Sequence, residues 1–200
     1  MTPQPPRILQ VVREPLRAGV EAEYDRIESE IAREGARLRC PHPYLGLDSL
    51  TGSREVWWFN GYDSAADQKQ VAQAWAKNKE ALATLGRIGQ RKAQLTDKAI
   101  EVFADYQRDL SIGPPWLMGQ GRFLVITMTK SEPRTNGTVF ETDDGVRLVI
   151  LPARTRDEAD AAAAMAGPET RVFAVRPSWS HPAEDWIASD PEFWRPGNPR

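Results

Sequence analysis

The 200-residue sequence holds a single cysteine, Cys40, and only two histidines, His42 and His181. One thiol cannot close an internal disulfide, so a reducing, cytoplasmic setting is expected. So few thiol and imidazole ligands argue against a structural zinc site, and Cys40-x-His42 alone supplies too few donors. Long apolar runs are missing too. No stretch approaches a membrane span, and the opening Met1-Thr2-Pro3-Gln4-Pro5-Pro6 has no apolar core of signal-peptide length. Neither sign of charge dominates: 26 Lys and Arg face 28 Asp and Glu, a net −2. That balance argues against a dedicated nucleic-acid or anionic-membrane surface. No Gly-rich phosphate loop leads from a strand into a helix, and no G-x-S-x-G turn occurs. No cofactor is therefore expected.

What the chain has in excess is tryptophan, with seven copies. Large apolar surfaces that also offer partners to indole N–H groups are implied. Two of the seven stand in "EVWWFNGY" (55–62), where aromatic rings fall on both faces of one strand. A half-solvated strand would alternate apolar and polar residues, so both faces of this one must be covered.

The pattern along the chain reads as two α+β units. "RILQVV" (7–12) is a strand. Val20, Tyr24, Ile27 and Ile31 then mark one helix face, with Glu21, Glu23, Arg26, Glu28 and Glu30 mostly turned to water and Gly35 as the stop. "PHPYLGLDSLTG" and "EVWWFNGY" form a hairpin. Ser64 caps a long helix with inner face Val71, Trp75, Asn78, Leu82 and Leu85, which weakens near Gly86 and Gly89. "GRIGQRKAQ" at its end reads as a solvated face, and "AIEVFADY" is a fourth strand. This is the split βαβ order of the ferredoxin-like fold. Residues 111–121 form a Gly- and Pro-rich linker. Residues 122–178 repeat the plan in shortened form: a strand, a hairpin across Asp143-Asp144-Gly145, the Thr155-x-x-Glu158 capping box, a helix stopped at Gly167, and a last strand. Residues 179–200 are a tail holding Trp179, Trp186 and Trp194, with Ser180, Pro182 and Glu184 starting a short helix. The tail is either a plug over sheet left bare by the absent helix or a lid over a pocket.

The strand–helix–hairpin–helix–strand order of residues 7–106, above all "HPYLGLDSLTGSREVWWFNGYDSAAD", resembles the dimeric α+β barrel superfamily, which includes antibiotic-biosynthesis-monooxygenase and NIPSNAP-like domains. The resemblance implies an α+β fold with two antiparallel ferredoxin-like sheets facing one another and helices outside. Residues 1–110 would be one barrel domain and 122–178 a shortened tandem copy. A homodimer is expected to hide uncovered sheet, and a monomer stays open because a duplicated chain could close the barrel alone.

Strand alternation separates two faces. Leu9, Val11, Leu45, Leu47, Trp57, Phe59, Ile100 and Val102 are uniformly apolar and are expected to meet helices. Gln10, Val12, His42, Tyr44, Val56, Trp58, Asn60, Glu101 and Phe103 mix rings with hydrogen-bonding groups and are expected to line the interior between sheets. Shielded polar groups need partners, which points to an internal network, ordered water or a small organic ligand. His42 and Glu101 are the candidate proton-transfer groups and Asn60 the candidate oxyanion donor. Gln10, Tyr44, Trp58, Tyr62 and Phe103 would bind substrate, while His181 reads as a loop residue. The function expected is small-molecule binding, extending to cofactor-independent oxygenation, isomerisation or cyclisation of an aromatic or polyketide-like compound. A non-enzymatic assembly protein and a haem-binding protein are the alternatives.

Overall fold

A computed structural model describes residues 4–133 and 136–194. The opening tripeptide, two positions of the link after residue 129 and the end of the tail lie outside them. Chain order runs β1 (Ile8–Pro15), α1 (Glu21–Arg37), β2 (Tyr44–Ser49), β3 (Glu55–Tyr62), α2 (Ala65–Lys77), α3 (Lys79–Lys92) and β4 (Ile100–Tyr106). A 3-10 turn (Arg108–Leu110) leads to β5 (Phe123–Thr129), β6 (Thr138–Thr142), β7 (Arg147–Ala153), α4 (Arg156–Ala166), β8 (Thr170–Val175), α5 (Glu184–Ser189) and α6 (Pro191–Trp194). The eight strands close into one antiparallel barrel in the order β1-β3-β2-β8-β5-β7-β6-β4. Closure comes from β2 against β8, with Leu47 opposite Val175, and from β4 against β6, with Ala104 opposite Thr142.

The expected grouping of residues by face holds, but its direction is inverted. Leu9, Val11, Leu45, Leu47, Trp57 and Phe59 point into the barrel, where they join Leu124, Ile126, Phe140, Leu148, Ile150, Phe173 and Val175 from the other strands. Val102 packs against this cluster, while Ile100 stands exposed where its strand begins. Trp58 and Val56 instead face outward and pack with Tyr24 of α1, Trp179, Val12 and Tyr44. A closed lumen is sealed by backbone on all sides and takes the uniformly apolar set. The helix layer supplies its own polar partners and so accommodates the mixed set.

At the lumen, Glu55 ties three strands together. Arg13 of β1 grips its carboxylate from Nε and Nη2, both at 3.1 Å, Arg171 of β8 approaches at 3.0 Å, and Trp57 Nε1 donates at 2.7 Å. Burial alone would raise the Glu55 carboxyl. Hydrogen bonds from Trp57 and Ser53, with the Arg171 and Arg13 charges, overcome that and hold it down at about 2.

The linker and tail close the barrel from within. Trp116 stands edge-on to Phe59 and Phe140, with ring centroids 6.0 and 6.4 Å away, and donates its indole N–H to the Gln120 carbonyl at 3.1 Å. Trp186 and Trp194 belong to the same apolar cluster. Trp179 goes elsewhere: it crosses to α1, packs edge-on to Tyr24 at 5.7 Å and donates to Asp25 Oδ1 at 2.8 Å. Among the described residues, through Trp194, the tail therefore packs into the lumen and against α1 instead of over the outer face of the second half. There α4 covers Val125, Ala153 and Val172, and Ser111 after the 3-10 turn caps the Val139 N–H.

Three local expectations also change. Helix α1 runs through Gly35, because that position faces Cys40, where an added Cβ would come within 3.0 Å of Sγ. The long helix breaks at Asn78, not at Gly86 or Gly89. Asn78 Oδ1 accepts from Ala81 N at 3.1 Å and its Nδ2 donates to the Leu38 carbonyl at 3.0 Å, so the residue caps α3 while pinning α1. As a result α2 buries none of its residues, and α3 packs through Ala81 and Ile88 while Leu82 is exposed. Ser180 does not cap α5, which starts at Glu184; it accepts from Gly46 N at 3.0 Å and donates to the Arg176 carbonyl. The Thr155–Glu158 capping box forms as expected. Thr155→Ala is expected to cost about 1 kcal/mol, read as a lowered urea midpoint at unchanged slope.

Candidate active site

The polar groups of the helix-covered face meet at one point. Glu14 continues β1 two residues beyond Val12, and so shares its outward face with Gln10 and Val12. Its Oε2 accepts from Tyr24 Oη of α1 at 2.5 Å and from Trp58 Nε1 of β3 at 3.0 Å. Its Oε1 accepts from Lys92 Nζ, at the end of α3, at 2.8 Å. Lys92 Nζ also lies 5.2 Å from the centroid of the Trp58 ring, a cation–π contact. A second carboxylate, Glu28 of α1, sits 3.1 Å from the same Nζ in an ion contact without hydrogen-bond alignment. The Glu28 side chain is 1% exposed, against 10% for Glu14 and 20% for Lys92.

One ammonium thus serves two carboxylates in a layer almost closed to water. Burial pushes the Glu28 carboxyl up, and the neighbouring Glu14 charge adds to this; Lys92 opposes it, leaving Glu28 at about 7. Burial works against the Lys92 charge, but Glu28 and Glu14 outweigh it and hold the ammonium above its ordinary range. The Tyr24 hydroxyl is pushed far up by burial and by both carboxylates, so it stays a donor.

Two members of the cluster, Glu14 and Lys92, line a cleft of ≈500 Å³ between the end of α3 and the segment entering β4, together with Gly89, Thr96, Arg17 and Lys98 among others. A Cβ added at Gly89 would meet nothing within 4 Å. The cleft therefore opens over a charged ammonium, with a carboxylate oxygen beside it. Such a lining can hold an oxygen that becomes negative and can accept a proton.

The residues singled out from sequence lie outside the lumen. Trp58 belongs to the cluster as the indole that holds Glu14, and Tyr44 stands edge-on to it at 5.9 Å. A second string runs further along the same face. Tyr62 Oη donates to Gln10 Oε1 at 2.9 Å, Gln10 Nε2 donates to Glu101, and His42 stacks on Tyr62 at 4.7 Å with rings 8° from parallel. Asn60 and Phe103 flank Gln10 on the neighbouring strands. Glu101 and Phe103 are exposed. Burial lowers the His42 imidazole below its ordinary value. The string is separate from the Lys92 cleft, and the shielded inter-sheet chamber expected for these groups is occupied by packed lumen side chains.

Sequence reading missed Glu14, Tyr24, Glu28 and Lys92. One signal was present: Glu28 follows Tyr24 by four residues and adjoins Ile27 and Ile31, which places it on the apolar stripe of α1.

No protein-family model and no curated protein sequence match the chain. Among solved structures it is similar to a candidate monooxygenase of Fusobacterium nucleatum, at 9% identity over 86% of this chain and 93% of that one, with a TM-score of 0.51. It is also similar to a candidate monooxygenase of Lactobacillus acidophilus, at 9% identity over 93% and 88% of the two chains and a TM-score of 0.45. An anthrone oxidase-like protein follows at 11% identity, 85% and 92% coverage and a TM-score of 0.44. The first superposition establishes a shared α+β barrel fold. At such identities the likeness concerns fold alone.

Proposed function

We propose that this chain is a small-molecule enzyme of cofactor-independent monooxygenase type, with the Lys92 cleft as its active site. The observation that carries the reading is Lys92, a half-buried ammonium fixed by two carboxylates and lining an open cleft. The substrate class that suits it has an oxygen able to become anionic, such as a phenol or an enolisable aromatic ketone. Lys92 holds that oxygen and favours its ionised form, as an oxyanion donor does. Glu14 Oε1, beside Nζ, accepts the proton. The electron-rich carbon then adds O2, and the resulting hydroperoxide loses water to leave a carbonyl, so O2 is both oxidant and oxygen source. Trp58 and Tyr24 act as positioning residues that fix Glu14. His42, Asn60 and Glu101 take no step in this scheme.

The architecture is read the same way. We infer a ferredoxin-like tandem duplication, supported by strand orders β4-β1-β3-β2 and β8-β5-β7-β6, which are the same order counted within each half.

Oxygen uptake with 1,8-dihydroxyanthrone and simple phenols tests the function. Lys92→Met is expected to lower uptake 100-fold or more, by the measure of a lost oxyanion donor, about 10²–10³. Gly89→Trp, which fills the cleft mouth from a position facing open space, is expected to act through KM. Turnover unaffected by both substitutions would remove the cleft from the reaction.

A further inference from the structure

Two carboxylates around one ammonium leave the cluster with one negative charge too many, and its Glu28 member is closed off from water. Charge buried without compensation costs several kcal/mol unless a proton or a counter-ion removes it. Glu28 is the member that cannot reach water, at 1% exposure, and it makes the less well aligned contact with Lys92. Glu14 is held by three donors and keeps acceptor capacity on Oε1, and of the cluster only Lys92 and Glu14 are reached from the cleft. We propose that Glu28 is an exchangeable counter-charge: an anionic organic ligand entering the cleft takes over as the second partner of Lys92, and Glu28 takes up one proton as the ligand binds. The inference rests on reading the Lys92 cleft as a ligand site, and adds that the site selects monoanions in a pH-dependent way.

The balance is simple. Free protein above neutrality carries Glu14⁻, Lys92⁺ and Glu28⁻. Bound protein carries Glu14⁻, Lys92⁺, ligand⁻ and neutral Glu28, with the proton drawn from solvent, so the cluster's net charge is unchanged. Charged and titratable groups facing Glu28 are Lys92 from α3, Glu14 from β1 and Tyr24 from its own helix, with the Tyr44 hydroxyl of β2 further off. Tyr24 and Tyr44 are both held in the neutral form by burial. Lys92 is held charged, which leaves Glu28 as the group that titrates near neutrality, at about 7.

The test uses the whole chain and 1-anilinonaphthalene-8-sulfonate, whose sulfonate stays ionised throughout, titrated by fluorescence from pH 5.5 to 8.5. Calorimetry in two buffers of different ionisation enthalpy counts protons taken up. Wild-type affinity is expected to be level below neutrality and to fall tenfold per pH unit above it, with uptake approaching one proton at pH 8. Glu28→Gln is expected to bind with level affinity across the range and no uptake. Proton counting on the wild type needs no variant, so the result stands even where Glu28→Gln folds poorly. Binding abolished by Lys92→Met and Gly89→Trp, yet independent of pH and without proton uptake, overturns the counter-charge while leaving the site. Binding indifferent to both substitutions, or no binding at all, overturns the site reading and the inference with it.

Discussion

Trp57→Ala is expected to lower the free energy of unfolding by about 3–5 kcal/mol, the range for removing a buried aromatic side chain. Urea or thermal unfolding followed by circular dichroism measures it. The indole is fully buried in the lumen, where its ring lies 4.6 Å from Phe173 and 6.3 Å from Phe59. The Arg13 and Arg171 guanidiniums sit 4.9 and 5.5 Å from its centroid, and its N–H donates to Glu55. Truncation opens a cavity that backbone closed on every side cannot collapse to fill, and it removes a donor from the carboxylate linking β1, β3 and β8. Trp57→Phe keeps most of the ring volume and loses the donor, so its smaller cost separates packing from the hydrogen bond. A loss below about 1 kcal/mol in Trp57→Ala would mean that the lumen is loosely filled.

The neighbouring indole shows how far strand alternation can be read. "EVWWFNGY" sorts Trp57 and Phe59 from Trp58 and Asn60 without ambiguity, and the pairing registers keep those two sets apart on every strand. Period-two patterning states which residues share a face and is silent on which face is inside. The uniformly apolar set fits a helix-packed surface and a barrel lumen equally well. The direction was decided by closure of β2 on β8 and β4 on β6, contacts between residues more than a hundred positions apart for the first and nearly forty for the second.

The Ser64 and Thr155 caps were legible because such bonds are local, whereas Ser180 is drawn away by Gly46 and Arg176. Ser64 with Asp67 and Thr155 with Glu158 lie three residues apart, and both bonds form. The candidate site was not, for the opposite reason. Lys92 lies 78 residues from Glu14 in a run that reads as a solvated basic face, and Glu28 lies in an acidic stretch of α1. Each looks like an ordinary surface charge until α3 is laid beside α1, and Asn78 fixes that placement through the Leu38 carbonyl.

Lys92→Met is expected to cost about 3–5 kcal/mol at pH 8, the range for removing one partner of a buried ion pair, and much less at pH 5. The substitution keeps most of the stem that lies over Trp58 and takes away the ammonium, so two carboxylates are left facing each other in a dry layer. At pH 8 both must remain charged or take protons against the solution. At pH 5 Glu28 takes a proton readily, and the penalty shrinks. Within the cluster the sign is set by Glu28, whose folded value of about 7 lies above its ordinary 4.5. Its contribution to stability is therefore complete below pH 4.5 and lost as pH rises through 7. Glu55 has the opposite sign, at about 2. Its contribution is present above pH 4.5 and lost as pH falls through 2, outside the window from 5 to 8. The His42 and His181 imidazoles, held below their ordinary value by burial, act in this window with the opposite sign and alike in both proteins, so the wild-type slope is a balance, while the stability of Lys92→Met relative to wild type should rise as pH falls from 8 to 5. Adding Glu28→Gln to Lys92→Met removes one stranded carboxylate, and should recover part of the loss at pH 8 and little at pH 5. Urea unfolding at pH 5, 6, 7 and 8 decides the matter: an equal cost at every pH would mean that Lys92 stabilises the fold through its stem alone.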